Sequence, residues 1–282
     1  LKDVIWKSSN YSLYGDMSRR MYEVLCGLVP HVEPYSIDEM FLDLTGASGD
    51  LISMSLDIRD QVRRIAKIPT CVGIGPTKSI AKLANKFAKD YRADLGVCDF
   101  MDPGARAAAY RDLPVGEIWG IGRQSTLKLQ KMGVDTIADF VVLPADLVRE
   151  SLTVVGLRTL KELQGVSCLP LSLIPPTKKS LAVTRSFGRA ITEWDEMRDA
   201  VATYAARATA KMRSHGLVAC AMQVFMRTNE FNGDPKYANQ VTVQIEPTAD
   251  SHAIIASAVK VARSIWRDGF RYAKAGVVFV DL

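Results

Sequence analysis

The last hundred residues constrain the fold most. From Leu181 onward, extended and helical patterns alternate: a strand at 181–187, a helix at 194–213, strands at 219–227 and 237–246, a helix at 251–267 and a strand at 275–280. The first helix carries Met197, Val201, Tyr204, Ala208 and Met212 at helical spacing, and the second carries Ile254, Ala258, Ala262 and Ile265. Each is one apolar stripe that must be covered by another element. Four strands and two one-sided helices in the order βαββαβ predict one sheet with both helices on one face, the ferredoxin-like split unit. Just upstream, Pro175-Pro176 blocks helix and stiffens an extended segment, so 170–177 reads as a linker.

The rest of the chain divides by its patterns. A helix is expected at 11–25, then a strand pair in which His31 to Ile37 runs out and Met40 to Leu44 runs back, with Asp38-Glu39 at the bend. Met40, Leu42 and Leu44 share one face of the returning strand. A helix at 50–66, a strand at 70–75 and a helix at 77–91 complete an α+β layer. Residues 101–170 read as almost all helix, interrupted at Leu113-Pro114, Gly120-Ile121-Gly122, Gly133, Pro144 and Gly156. The fold class is therefore α+β and multidomain, with parts at 1–95, 96–175 and 178–282.

Composition excludes several classes. Hydrophobic residues make up 48% and charged residues 24% of the 282, values of a globular chain rather than a disordered or low-complexity one. No apolar run approaches the length of a membrane span, and the start does not read as a signal peptide, so a cytoplasmic protein is expected. The five cysteines are far apart, and none of the three histidines stands at ligand spacing from one, which argues against a zinc site or a disulfide framework. Leu1 to Trp6 carries no initiator Met, so a piece of a longer protein is expected. Charge is unevenly spread: residues 178–282 hold 15 Lys and Arg against 10 Asp and Glu, while 1–95 hold 13 against 12 and 96–177 hold 8 against 9. A basic last module beside balanced ones points to a polyanion, nucleic acid ahead of membrane, with a solvated basic surface as the plainer alternative.

Four groups of residues could carry chemistry. Asp38-Glu39 puts two carboxylates at one bend, as a magnesium ion needs: hard oxygen ligands, with water and phosphate completing its shell. The alternative is a solvated acidic turn; the flanking Tyr35, Ile37, Phe41 and Leu42 suggest an apolar setting in which paired carboxylates repel unless a cation joins them. Lys78, Lys82, Lys86 and Lys89 fall in one stripe of the helix at 77–91, opposite its apolar face. Such a row invites an anion or serves as a solubilising face. Trp119-Gly120-Ile121-Gly122-Arg123 precedes a helix, so Gly120 and Gly122 could turn backbone N–H groups, with Arg123, toward a phosphate; a plain Gly-rich turn is the alternative. Arg185, Arg189, Arg207, Lys211, Arg213, Arg227 and Lys236 could form a phosphate track, although each singly is ordinary surface.

Taken together, these stretches resemble the Y-family, or translesion, DNA polymerases, in particular the UmuC-like catalytic subunits of bacterial DNA polymerase V. The resemblance rests on Ser9-Asn10-Tyr11, Tyr35-Ser36-Ile37-Asp38-Glu39, Phe41 to Gly46, Gly73-Ile74-Gly75, Thr77-Lys78, Ala81 to Asn85, Trp119 to Gly122, Arg185 to Gly188, Tyr204 to Arg207 and Tyr272 to Gly276, covering nearly the whole chain. It implies a partial ferredoxin-like palm at 1–95, a small all-helical helix-hairpin-helix thumb at 96–175 and a βαββαβ little finger at 178–282. It implies template-directed addition of dNMP to a primer 3′-hydroxyl by two-metal phosphoryl transfer during DNA repair in the SOS response. Asp38 and Glu39 are then the metal ligands for two magnesium ions, and Lys89, supported by Lys82 and Lys78, meets the incoming dNTP. Gly120, Gly122 and Arg123, with Arg185, Arg189, Arg207, Lys211 and Arg227, face the primer–template DNA.

The family's first metal-binding aspartate, its steric gate and its fingers Tyr/Arg pair have no counterpart here, so the chain by itself is expected to be inactive or nearly so. Met40 stands where the family often has a small residue. A UmuD-like subunit, a recombinase filament and a sliding clamp are the further partners raised, the clamp peptide belonging to a tail not represented in the sequence. Two other readings stay open: a non-catalytic damaged-DNA-binding protein, and a nucleotide cyclase sharing the palm topology, against which the Gly-rich hairpin and the basic last third both count.

Overall fold

The computed structural model describes residues 4, 5, 7–91, 95–174 and 177–282. These divide into two compact units, 1–175 and 176–282. The expected linker prolines Pro175 and Pro176 lie outside the described residues.

The first unit begins with α1 (Tyr11–Cys26), capped by the Asn10 side chain, which accepts from Leu13 N. The short strands β1 (Val32–Pro34) and β2 (Met40–Leu42) pair antiparallel. Helix α2 (Leu51–Ala66) starts at Asp50, whose carboxylate accepts from Ile52 N and Ser53 N. Strand β3 (Val72–Ile74), helix α3 (Lys78–Tyr91) and strand β4 (Val97–Asp99) come next, β3 and β4 pairing in parallel. The expected face of the returning strand is present: Met40, Leu42 and Leu44 all pack on a core made by Met21, Leu25, Val29, Val32, Ile58, Val62 and Ala66.

Helix α3 packs elsewhere. Its stripe Ile80, Leu83, Ala84 and Ala88 is buried in a second core with Cys98, Phe100, Tyr110, Ile118, Leu129, Phe140, Val148 and Leu160. Burying an Ile or Leu contributes about 1.5–3 kcal/mol, so this stripe anchors α3 to the segments that follow it, while Gly73 and Gly75 let the preceding strand pack close against it. This core runs without a break across residue 95, where the sequence pattern sets a boundary. The helices of that region are α4 (Pro103–Asp112), α5 (Arg123–Gln130), α6 (Ile137–Val141) and α7 (Ala145–Leu163), with a 3₁₀ turn at Val115–Glu117. The break expected at Gly156 occurs instead at Thr153, whose φ of 67° interrupts the helical backbone of α7. Gly156 itself is helical and packs tightly: a Cβ there would collide with the Leu152 side chain.

The second unit keeps the βαββαβ rhythm: β5 (Ser180–Ile191), α8 (Trp194–Arg213), β6 (Ala219–Thr228), β7 (Ala238–Thr248), α9 (Ser251–Ile265) and β8 (Tyr272–Val280). The sheet order is β5-β8-β6-β7, antiparallel throughout. Each helix therefore crosses over a strand inserted between the two it connects, as a split unit requires, and the second and fourth strands occupy the middle. The stripes of α8 and α9 close on Met222, Val224, Met226, Val277 and Phe279 from these central strands. Gly276 is required on the opposite face, since a Cβ would collide with Thr184 on β5 and approach Phe225 on β6.

Candidate active site

The site grows from the turn between β1 and β2. Ser36 closes it: its hydroxyl accepts from Asp38 N at 3.3 Å and Glu39 N at 3.1 Å and donates to Asp38 Oδ1 at 2.7 Å. The N–H groups of Tyr35 and Ser36 both donate to the Glu39 carbonyl. The turn thus places two consecutive carboxylates differently. Asp38 is exposed, with Ile37 beside it also exposed, so the apolar setting inferred from the flanking residues does not hold for Asp38. Glu39 is half-buried and turned to α3.

Three of the four lysines on α3 are engaged by carboxylates. Lys78 pairs with Glu33 of β1 and donates to the Pro170 carbonyl at 2.9 Å. Lys82 donates to both oxygens of Glu39, each at 2.8 Å. Lys86 reaches Glu117 at 3.0 Å and Asp90 at 3.2 Å, and those two carboxylates hold its ammonium pKa above the usual lysine value. The side chains of Lys78 and Lys82 are only 12% and 18% exposed, which excludes a solvated face for that half of the row. Lys89 is exposed and has no ion pair or hydrogen bond among the described residues.

An aromatic group surrounds the lysines. Phe41 points away from the face of Met40 and Leu42; its ring lies 5.6 Å from Tyr35 and 5.9 Å from Trp119, centroid to centroid. Trp119 meets Tyr35 edge-on at 5.3 Å and donates its indole N–H to the Tyr35 hydroxyl at 3.2 Å. The Lys82 ammonium sits 4.8 Å from the Tyr35 ring and 5.3 Å from the Trp119 ring, and Lys78 sits 4.9 Å from Phe41. Cation–π contacts of this kind contribute about 0.5–2 kcal/mol each. Beside them lies a cavity of about 380 Å³ lined by Glu39, Lys82, Asn85, Lys86, Lys89 and Glu117, among others. Asn85 Oδ1, buried there, has no hydrogen-bond partner among the described residues.

Sequence reasoning missed the supports of α3. Glu162 on α7 is fully buried, and its carboxylate accepts from Ser79 N at 3.0 Å, Cys168 N at 2.6 Å and Leu169 N at 3.1 Å. It satisfies an otherwise unpaired N–H in the first turn of α3, beside Thr77, whose hydroxyl accepts from Ile80 N. Nothing local in the sequence marks Glu162, because its partners lie 83 residues upstream and 6 and 7 downstream. Gly73 and Gly75 have a packing role: a Cβ on either would collide with the backbone of α3.

Gly120 (φ 91°) and Gly122 have no neighbouring atoms within Cβ contact, and Gly122 stands at the start of α5 with no side chain capping it. Arg123 is exposed beside them. In the second unit the basic residues separate. Arg227 projects from β6 on the face opposite Met226 and pairs with Glu230 at 3.7 Å. Arg207 and Lys211 are exposed on α8, and the charges of Arg185 and Arg207 both act on Tyr204 of that helix. Arg189 makes a double hydrogen bond to Glu196, at 2.8 and 3.0 Å, and holds that carboxyl below its ordinary pKa. Arg227 thus lies on the open sheet face, and Arg207 and Lys211 lie on α8.

A magnesium site must be judged from the donors present. Among the described residues no three His, Cys, Asp or Glu side chains cluster as a metal cage. Two carboxylates still suit an ion that takes one or two from protein and the rest from water and phosphate. Glu39 already receives a cation, the Lys82 ammonium, on both oxygens. The donor set fits.

The impB/mucB/samB family model matches residues 1–86, and the C-terminal domain model of that family matches 178–282. Protein UmuC of Salmonella typhimurium is 41% identical over 283 residues, covering 99% of this chain and 67% of the relative. Protein MucB of Escherichia coli is 41% identical over 282 residues, covering 97% of this chain and 66% of the relative. The chain thus spans about two thirds of the length of these curated relatives. A solved Y-family DNA polymerase chimera, Dbh-Dpo4(243-245)-Dbh, shares the fold with a TM-score of 0.76 at 19% identity, over 100% of this chain and 79% of that one. No helix among the described residues is long and apolar enough to cross a membrane. With the two family models at either end and relatives this similar over almost all of its length, the chain belongs to the impB/mucB/samB family, that of proteins UmuC and MucB.

Proposed function

We propose that residues 31–123 form the nucleotidyl-transfer centre of an error-prone translesion polymerase, which adds a dNMP to a primer 3′-hydroxyl, and that both units contact primer–template DNA. One observation carries this reading: the carboxylate turn at Asp38-Glu39 adjoins a cavity lined by Lys82, Lys86 and Lys89. Asp38 and Glu39 would hold the two magnesium ions of the reaction. Ions bound there supply charge neutralisation for the attacking 3′-oxygen and the departing pyrophosphate.

The chain's own residues do the rest. Lys89, with no partner of its own among the described residues, is the cation of the row available to an incoming triphosphate. Lys82 and Lys86 border the same space and raise its potential. Lys78 is engaged by Glu33 and Pro170 and supports α3 rather than the nucleotide. Gly120 and Gly122, open to close approach, would present backbone N–H groups at the start of α5 to a DNA phosphate, with Arg123 beside them. In the little finger, Arg227 on the open sheet face would meet duplex. Arg185, Arg189, Arg207 and Lys211 would meet a second stretch of backbone from the side of α8.

The test is primer extension with Asp38→Ala in the full-length protein. Loss of a metal-mediated charge stabilisation of several kcal/mol lowers extension by about a hundredfold or more, while DNA affinity stays near that of the parent. Extension at the parental rate would remove the metal assignment.

A further inference from the structure

We infer that Lys82 is a placeholder cation: with no divalent ion present it neutralises Glu39, and it gives up that carboxylate when an ion takes it. The inference rests on the reading of Asp38 and Glu39 as the metal-binding pair. It adds that two cations compete for one ligand, and that Trp119 acts as a positioning residue that keeps the displaced one at hand.

The geometry points that way on three counts. First, Lys82 donates to both oxygens of Glu39 at 2.8 Å, so an ion approaching that carboxylate meets an ammonium at each oxygen. A divalent ion and an ammonium cannot share it without strong repulsion. Second, Lys82 does not depend on Glu39 alone. Its ammonium lies over the rings of Tyr35 and Trp119, at 4.8 and 5.3 Å, and those rings are tied to each other by the indole N–H to hydroxyl bond of 3.2 Å. A lysine released from the carboxylate keeps an aromatic partner and has no need to return to bulk water. Third, Glu39 and Lys82 line the same cavity as Lys86 and Lys89. Among the described residues, an ammonium leaving Glu39 therefore enters a space where it meets no new carboxylate except Glu117 and Asp90, both already paired with Lys86. An anionic polyphosphate in that cavity would favour the exchange, since Glu39 gains the ion while the anion gains Lys82. The binding of metal and of polyphosphate at this site would then reinforce each other, through residues at the tip of one hairpin and one face of α3.

The experiment reads Trp119 and metal affinity separately. The chain is labelled with 5-fluorotryptophan, the Trp119 resonance is assigned by Trp119→Phe, and Mg²⁺ is titrated; the other tryptophans, Trp6, Trp194 and Trp266, serve as internal references. Affinity is read with Mn²⁺ alone, by water-proton relaxation, in the parent, in Lys82→Met and in Lys89→Met. Lys82→Met keeps an apolar stem against the rings; Lys89→Met removes the same charge from the same cavity without touching Glu39. The exchange predicts that Mg²⁺ shifts the Trp119 resonance in the parent and leaves it unmoved in Lys82→Met. It also predicts that Lys82→Met binds Mn²⁺ about fivefold more tightly, as loss of a competing ion pair implies, with Lys89→Met within about twofold of the parent. If Mn²⁺ binds while Trp119 stays silent, or if Lys82→Met and Lys89→Met bind it equally, Lys82 is a fixed structural partner and the inference falls, with the polymerase reading intact. If Mn²⁺ binds neither the parent nor Lys82→Met, the metal assignment of Glu39 falls and takes the inference with it. The parental titration needs no charge-removing variant, so a misfolded Lys82→Met would not protect the idea.

Discussion

Four residues of one type and spacing have four different fates on α3. Lys78, Lys82 and Lys86 meet Glu33, Glu39 and Glu117, which come from a strand, a turn and a 3₁₀ turn. Lys89 meets no carboxylate among the described residues. The sequence shows that they share a face, and this holds; which of them remains available for an anion is a property of what docks on that face. In the full-length protein the consequence for Lys89→Ala is a raised apparent Km for dNTP, by about tenfold if a charge-assisted contact of roughly 1.5 kcal/mol is lost, measured by steady-state primer extension. An unchanged Km would make Lys89 an ordinary surface residue. The motif Gly73-Ile74-Gly75 teaches a similar lesson at smaller scale. Its glycines serve packing: Asn85 and Ala81 backbone atoms occupy the space of a Cβ at Gly73.

At the scale of elements, α3 is the member on which the site depends, and its fixings come from both directions along the chain. The buried carboxylate of Glu162 binds its first turn, Gly73 of β3 and Gly75 just after it lie against it, and its apolar stripe closes on the region 98–163. Tyr110 joins α4 to α7 in the same core, donating its hydroxyl to the Leu163 carbonyl at 3.1 Å. Burial pushes its phenol up to about 12, with the Arg106 charge opposing the shift. A folded-state pKa above the unfolded value of about 10 gives a contribution fully present below pH 10 that is lost as the pH rises through about 12. Denaturant unfolding measured across that window should show a loss of about 1–2 kcal/mol that Tyr110→Phe lacks. Identical slopes in parent and variant would mean that the phenol ionises as easily in the fold as outside it. The periodic stripes of α8 and α9 were legible from sequence, because burial on one side of a helix leaves its mark every three to four residues. Thr153 was not, since a left-handed non-glycine residue carries no such signature.

At the scale of the molecule, the two units differ in how they are built and in what they carry. The core of the second is drawn wholly from residues 181–279 with flanking positions up to Leu282, so this unit is expected to fold alone. It also carries the charge excess, 15 basic against 10 acidic residues. Residues 178–282 by themselves should bind duplex DNA with an affinity that falls steeply with salt, each phosphate contact adding about 0.9 to the log–log slope. A flat dependence, read by fluorescence anisotropy, would argue against phosphate contacts. The sequence by itself determined the element order of this unit, its two helix stripes, the acidic turn and the lysine row, because each is set by neighbours within a few residues and by the need to cover an apolar face. Only the tertiary structure decided the strand order β5-β8-β6-β7, the continuity of the α3 core past residue 95, the division of basic side chains between α8 and the open sheet face, and the partner of each lysine. Those depend on which surfaces of distant segments come together, and a charged or apolar side chain carries no record of the segment that will face it.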